Sequence, residues 1–143
     1  MSNSNRGTNA KSAGAAAEKL TINSYRDLEV WRQAMDLAVE CYKATQSFPK
    51  AEMFGIVSQI RRSASSVPAN VAEGHGREGR AHFVQFLRVA QGSLKELETH
   101  LLLSARVGLL HDMESDPILR RCGDVGKMLR GLIRALDART GQR

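Results

Sequence analysis

The sequence predicts an all-α protein, an antiparallel up-and-down four-helix bundle formed by a single domain. Apolar residues recur every three or four positions in four segments, as they do along amphipathic helices. Three prolines and an aromatic content of 5% are too low for a β-sandwich with its many turns and β-forming residues. A length of 143 residues is sufficient to bury a core without disulfides or metals.

The N-terminal segment, the apolar runs and the cysteines indicate the cellular compartment. Residues 1–23 are rich in Ser, Asn, Ala and Gly, so we expect a flexible tail before a bundle domain of residues 24–143. That tail lacks the apolar run of a secretory signal, and apolar runs such as 101–103 are far too short for a membrane span. Cys41 and Cys122 form no CxxC pair, which favours buried thiols. We therefore expect a cytoplasmic protein with no membrane partner.

The first helix is predicted to begin near Ser24, a capping residue with Asp27 three positions on. Its main apolar face comprises Leu28, Trp31, Met35, Ala38, Val39 and Tyr42. Val30, Leu37 and Cys41 widen the apolar arc to roughly 200°, about twice what one core-facing stripe needs. This excess predicts that a second copy of the chain covers part of the helix.

The second helix is predicted to begin just after Pro49 and to end at Gly74. Its apolar face comprises Met53, Ile56, Val57, Ile60, Ala64, Val67 and Val71. Pro68 lies inside this pattern and predicts a kink, with Ser65 or a water meeting the carbonyl that the proline leaves free.

The third helix is predicted over about residues 81–107. Its core face comprises Phe83, Phe86, Leu87, Ala90, Leu94, Leu97 and Leu101. A different side carries further apolar residues, Val89, Leu103 and Val107. The Gly92-Ser93 pair costs helix propensity, about 1 kcal/mol for the glycine, and predicts the close approach of another backbone.

The fourth helix is predicted to open at Ser115-Asp116-Pro117, a capping residue followed by proline in the first turn. Its core face comprises Ile118, Cys122, Val125, Leu129, Leu132, Ile133 and Leu136.

No pattern in the sequence predicts catalysis, a cofactor or a metal site. Residues 74–79 match GxGxxG, but they follow a helix rather than a strand, which indicates a linker and not a dinucleotide site. None of the nine glutamates has the histidine three residues later that di-metal bundles use. A triad assembled in space is the remaining route to an enzyme, and we expect a non-enzymatic protein.

Positive charge is the remaining functional signal, with a net charge of +6 and a pI of about 9.8. Seven basic and three acidic residues lie between positions 115 and 143. Four of the basic residues fall within about 80° around the fourth helix and predict a phosphate-binding face: Arg120, Lys127, Arg130 and Arg134. The alternative is an ordinary solvated helix face, because Asp116, Asp124 and Asp137 interleave with these cations.

A second basic group surrounds the connection between the second and third helices. It comprises Arg61, Arg62, Arg77, Arg80 and Arg88, of which Arg61, Arg77 and Arg80 are the alternative nucleic-acid-binding candidates. No aromatic residue interleaves with either basic group, so we expect recognition of the backbone or shape of a nucleic acid rather than base stacking.

Several segments resemble a known family: YRDLEVW at 25–31, FP at 48–49, QIRRSA at 59–64, SVPANVAEG at 66–74 and GSL at 92–94. Together they resemble the bacterial four-helix-bundle proteins encoded in intervening sequences of large-subunit ribosomal RNA genes. The stretch 59–74 is the most specific, and the fourth helix has little signature of its own.

The resemblance implies a ring-like homopentamer without established enzymatic activity. A similar protein, the accessory variability protein of diversity-generating retroelements, associates with nucleic acid and a reverse transcriptase through a basic surface. The resemblance therefore implies two kinds of partner: RNA or DNA, and another protein such as a reverse transcriptase. It also implies a structural polar network near the core, in which Arg62 meets a carboxylate of the third helix: Arg62, Asn70, Glu73, Glu96 and Glu98.

Two functions remain open from the sequence. The first is a homo-oligomeric protein that binds nucleic-acid phosphates without catalysis. The second is a protein-interaction scaffold or adaptor ring, in which the charge serves only solubility.

Overall fold

The first helix begins later than its capping residue predicts. The structure, a computed structural model, describes residues 24–140, with side chains up to Ala138, so the predicted tail of residues 1–23 lies outside the described residues. Ser24 Oγ accepts a hydrogen bond from the Arg26 backbone N–H at 3.2 Å and caps a 3-10 turn, Tyr25–Asp27. Leu28 is extended, and helix α1, Glu29–Thr45, follows it.

The buried face of α1 is rotated from the predicted one. The residues that lie in the core are Val30, Ala34, Leu37, Ala38 and Cys41. Met35, Val39 and Tyr42, predicted in the core, are 39%, 47% and 43% exposed. The apolar arc is wide enough for two faces, and the small side chains Ala34 and Ala38 let the face that contains them pack more closely on its neighbours.

Helix α2, Ile56–Gly76, also begins later than predicted. A 3-10 turn, Lys50–Glu52, follows Pro49, and the non-helical backbone of Gly55 separates this turn from α2. Met53 therefore lies in the connection and is exposed, not in the core face.

Pro68 does not interrupt α2, because the helix is continuous from Ile56 to Gly76. Ser65 does not serve the carbonyl of Ala64 that the proline leaves free. Its hydroxyl donates instead to the carbonyl of Arg62 at 3.2 Å.

Gly74 does not end α2 but packs it against the next helix, α3, Arg80–Arg106. A Cβ at Gly74 would lie 2.6 Å from Phe86 Cβ and 3.3 Å from the Phe83 carbonyl oxygen. No side chain fits at such distances, so this position needs a glycine for close helix packing.

The core face of α3 is largely as predicted, with Leu87, Ala90, Leu94, Leu97 and Leu101 buried. The close approach predicted at Gly92 is absent from the described chain, because a Cβ there would meet nothing within 4 Å. The neighbouring Ser93 contacts α2 instead, through a hydrogen bond between its hydroxyl and that of Ser66 at 2.8 Å.

Helix α4, Asp112–Thr140, begins three residues before the predicted start. The carbonyl of His111 accepts from the N–H groups of Glu114 and Ser115 at 2.9 Å each, so helical bonding is established before Pro117. Ser115 is buried and its hydroxyl faces the Asp112 carbonyl, so it is not the capping residue. The predicted core face is otherwise correct: Ile118, Cys122, Val125, Leu129 and Ile133 are buried.

The four helices form the predicted antiparallel up-and-down bundle. Helices α1 and α3 each pack against α2 and α4, so α1 and α3 lie diagonally across the core. Residues 24–140 contain no strand. Assembly into a ring is not visible in a single chain and stays a prediction.

Candidate nucleic-acid interface

The four cations predicted on α4 lie on its solvent side. Arg120, Lys127, Arg130 and Arg134 are all exposed, and within residues 24–140 none of them makes an ion pair or a side-chain hydrogen bond. They extend about 21 Å along the helix, at 1.5 Å per residue. These side chains are therefore available to an external anion.

Arg121, next to this row, has a different role. Its Nε donates to Glu40 Oε1 at 2.9 Å, and its guanidinium also reaches Asp36 at 3.8 Å and Gln33 at 3.0 Å. The side chain is 32% exposed and joins α4 to α1. Arg121 is thus neutralised within the molecule and is no candidate for phosphate binding.

The antiparallel register of α3 and α4 adds two cations to this surface. Arg88 contacts Asp137 at 3.2 Å, and Leu94 lies beside Gly126, so residue numbers rise along α3 as they fall along α4. Lys95 therefore lies opposite residues 125–130 of α4, a segment that contains Lys127 and Arg130.

Arg106 lies opposite residues 114–119, just before Arg120. Lys95 and Arg106 are both exposed, and helical periodicity places them on the side of α3 that faces α4. Lys95 forms an ion pair with Glu98 at 3.2 Å, while Arg106 has no ion pair within the described chain. We call these six residues the α3–α4 basic face: Lys95, Arg106, Arg120, Lys127, Arg130 and Arg134.

Acidic residues interrupt the basic face without neutralising it. Asp116 and Asp124 are exposed on α4 and make no ion pair in the part of the chain described. Asp137 is occupied by Arg88. Within the described chain the five unpaired cations of the face therefore outnumber its two unpaired carboxylates, Asp116 and Asp124.

The alternative basic candidates are not assembled into one surface. Arg61 Nε donates to Thr45 Oγ1 at 3.0 Å, and its guanidinium lies 4.8 Å from the centre of the Tyr42 ring. Arg77 pairs with Glu73 at 3.1 Å near the opposite end of α2, and Arg80 is exposed without an ion pair in the described chain. About 24 Å of helix separates Arg61 from Arg77.

The five residues predicted as a polar network form separate local contacts. Arg62 reaches Glu96 of α3 at 3.5 Å, with side chains 69% and 45% exposed, so this pair is not part of the core. Asn70 donates to Ser66, its neighbour one turn earlier in α2. Glu73 pairs with Arg77, and Glu98 pairs with Lys95. The predicted residues therefore do not join into one network.

Two apolar patches remain exposed on diagonal helices. The α1 patch comprises Met35, Val39 and Tyr42. The α3 patch comprises Val89, Leu103 and Val107, which are 49%, 48% and 61% exposed. The residues of the α3 patch are those that the sequence predicts as surplus apolar surface. The residues of the α1 patch belong to the main apolar face predicted for α1, which is exposed in the structure.

The two cysteines are buried, and the described residues hold no candidate metal cluster. Burial raises the pKa of Cys41 and of Cys122 to about 12, so both thiols stay protonated at neutral pH. No group of three His, Cys, Asp or Glu side chains within residues 24–140 is placed to hold a metal ion. No helix in this part of the chain is long and apolar enough to cross a membrane.

Comparison with known families agrees with the sequence resemblance. Residues 26–131 match the family described as 23S rRNA-intervening sequence protein. The chain belongs to this family. The match includes α1, α2, α3 and α4 as far as Gly131, so it extends well into the helix that has little signature of its own.

A solved structure with the same fold is similar over most of its length. It is a protein of unknown function from the S23 ribosomal protein family of Bacteroides thetaiotaomicron, 26% identical, with a TM-score of 0.66. The similarity covers 73% of this chain and 97% of that one. No curated protein is significantly similar to this chain. Of the α4 cations, Arg120, Lys127 and Arg130 lie inside the family match and Arg134 lies beyond it.

Proposed function

We propose that this member of the 23S rRNA-intervening sequence family is a non-enzymatic homo-oligomer that binds RNA or DNA through the phosphates. The observation that supports this most is the row of four exposed α4 cations that make no ion pair within residues 24–140. Other exposed cations of this chain pair with acids one turn away, as Arg32 does with Glu29 at 2.7 Å and Arg77 with Glu73 at 3.1 Å. The α4 row holds no such pair in the part of the chain that the structure describes.

The magnitude of the effect follows from counterion release. Each cation that neutralises a phosphate of B-form DNA contributes about 0.9 to the slope of log affinity against log salt. Four contacts in one subunit would therefore give a slope near −3.6, which is readily measured.

The test replaces Arg120, Lys127, Arg130 and Arg134 together with Gln and measures fluorescence anisotropy with a structured RNA hairpin and a DNA duplex. A matched control replaces Arg26, Arg32, Lys43 and Lys50, which are exposed on other parts of the molecule and carry the same total charge. We expect the first variant to lose most of its affinity and salt dependence and the control to keep both. The proposal is wrong if neither ligand binds at low salt, or if the two variants lose affinity equally.

Self-association is proposed from the two apolar patches. Because they lie on diagonal helices, the α1 patch of one copy would meet the α3 patch of the next in a head-to-tail contact. Such contacts generate rings when the rotation closes, and the pentamer implied by the family resemblance is one closed ring. Multiple copies would multiply the number of phosphate contacts.

The exposed apolar patches also favour a second function, a scaffold that binds another protein. Large exposed apolar groups mark protein interfaces more often than they mark plain surface. Recovery of a stoichiometric protein partner from nuclease-treated lysate, together with absent nucleic-acid binding by the pure protein, would favour the scaffold.

A further inference from the structure

We infer that the α3–α4 basic face selects double-stranded nucleic acid over single strands. This inference rests on the proposed nucleic-acid binding and adds the form of the ligand. It depends on two features of the molecule: the placement of cations on two parallel rows, and the placement of every aromatic residue elsewhere.

The cations occupy two adjacent helices rather than one. The Arg88–Asp137 contact and the Leu94–Gly126 approach place Lys95 opposite residues 125–130 of α4 and Arg106 opposite residues 114–119. Packed helix axes lie about 8–10 Å apart, so the α3 pair runs beside the α4 row at that spacing. The result is a basic surface about 21 Å long and two rows wide.

A duplex matches two rows better than a single strand does. It presents two backbones side by side, with one charge per roughly 1.7 Å of its axis, or about 12 phosphates over 21 Å. A single strand has one backbone and can follow one row, so the cations of the other row would be left without phosphates.

The aromatic residues do not lie where unpaired bases would be stacked. All seven lie between positions 25 and 86: Tyr25, Trp31, Tyr42, Phe48, Phe54, Phe83 and Phe86. Tyr25 and Trp31 pack on one another, and Phe83 and Phe86 lie against Gly74 of α2. Proteins that hold single strands combine a basic groove with aromatic side chains on which the bases stack. The α3–α4 basic face carries no aromatic side chain.

The test compares three fluorescent probes of equal length: a 20-base-pair DNA duplex, a 20-base-pair RNA duplex and single-stranded oligo-dT, each of about 20 nucleotides per strand, a length chosen to exceed the 21 Å face. We expect at least about tenfold tighter binding of the duplexes near physiological salt, with steeper salt slopes. A difference between the two duplexes identifies the preferred helical form, and either preference supports the inference.

A double variant tests the contribution of α3. Lys95→Gln with Arg106→Gln is expected to lower duplex affinity about tenfold and flatten the duplex salt slope by about 1.8, with a smaller loss for oligo-dT. The matched control is Lys43→Gln with Lys50→Gln, both exposed and away from this face. Thermal melting of each variant confirms that the fold is retained.

The outcomes separate this inference from the proposed function. If oligo-dT binds as tightly as the duplexes, or the α3 variant weakens all three probes equally, selection of duplexes is wrong and phosphate binding by α4 stands. If no probe binds at low salt, the proposed function itself is wrong.

Discussion

Gly74 and Gly92 show how residues of one type in neighbouring helices serve opposite purposes. At Gly74 the missing side chain lets α2 lie directly on Phe83 and Phe86. At Gly92 the space around a Cβ would be open. The first glycine is required by packing, whereas the second only lowers the stability of its helix.

Gly74→Ala is expected to destabilise the protein by about 1–3 kcal/mol, because the new methyl group would overlap Phe86 Cβ. The cost of this overlap exceeds the gain in helix propensity from alanine. Gly92→Ala, the matched control, is expected to stabilise it by about 0.5–1 kcal/mol. Urea unfolding measures both. If Gly92→Ala instead breaks up an assembly, the close approach predicted there occurs between copies rather than within the chain.

The two buried thiols make stability depend on alkaline pH. Burial raises the pKa of Cys41 and Cys122 from the ordinary value of 9.0 to about 12, and Glu40 adds to the effect at Cys41. The unfolded chain therefore releases these protons first. Their contribution is complete below pH 9 and is lost as the pH rises toward 12.

Above pH 9 we expect each thiol to lower the free energy of unfolding by about 1.4 kcal/mol per pH unit. Urea titrations between pH 8 and 10.5 would measure this slope. The double variant Cys41→Ala/Cys122→Ala should be less stable at neutral pH and show a shallower decline. An equal decline in both proteins would assign the effect to other groups.

At the scale of the helices, Arg121 joins the first helix, α1, to the last, α4. It contacts three polar side chains of α1 and is only 32% exposed, whereas Arg32 and Glu29 form an exposed pair within one helix. Partial burial and a shared guanidinium make the first interaction stronger than a typical surface ion pair.

Arg121→Ala is expected to cost about 1–2 kcal/mol of unfolding free energy, and Arg32→Ala about 0.5 kcal/mol or less. Chemical denaturation of the two variants and the wild type gives both values. Equal costs would mean that Arg121 acts as an ordinary surface residue.

The sequence predicts the existence of all four helices and the core faces of α2, α3 and α4, because repeated Leu, Val and Ile define a single stripe on each. It does not predict the face of α1, whose wide apolar arc allows two orientations. The starts of α2 and α4 differ from prediction because Pro49 and Pro117 are compatible with several positions near a helix start. The non-helical backbone of Gly55 sets the start of α2, and the first hydrogen bonds to the His111 carbonyl set the start of α4.

The sequence predicts only part of the candidate site. Periodicity within α4 brings its four cations together. Lys95 and Arg106 join them only through the register between α3 and α4, and that register depends on tertiary contacts such as Arg88–Asp137. Different tertiary contacts make Arg61 a poor candidate, because its guanidinium donates to Thr45 and lies over the ring of Tyr42.

At the scale of the whole molecule, the α1 patch and the α3 patch lie apart from the row of four α4 cations. A charge placed in the α1 patch should therefore disturb self-association without affecting the fold.

Val39→Glu is expected to reduce the assembled mass measured by sedimentation velocity, while the melting temperature changes little because Val39 is 47% exposed. Ser47→Glu, in the exposed connection after α1, is the control of equal charge. An unchanged mass in the Val39 variant would exclude the α1 patch from the contact between copies.

The close approach at Gly74 also bears on the order of folding. Helices α2 and α3 are joined by only three residues, 77–79, so little loop entropy is lost when they meet. We expect this hairpin to form in the transition state, and α1 and α4 to dock afterwards. In stopped-flow experiments Gly74→Ala should then slow refolding, whereas Arg121→Ala should mainly accelerate unfolding, so the central hairpin would set how fast the bundle forms and the outer helices how long it lasts.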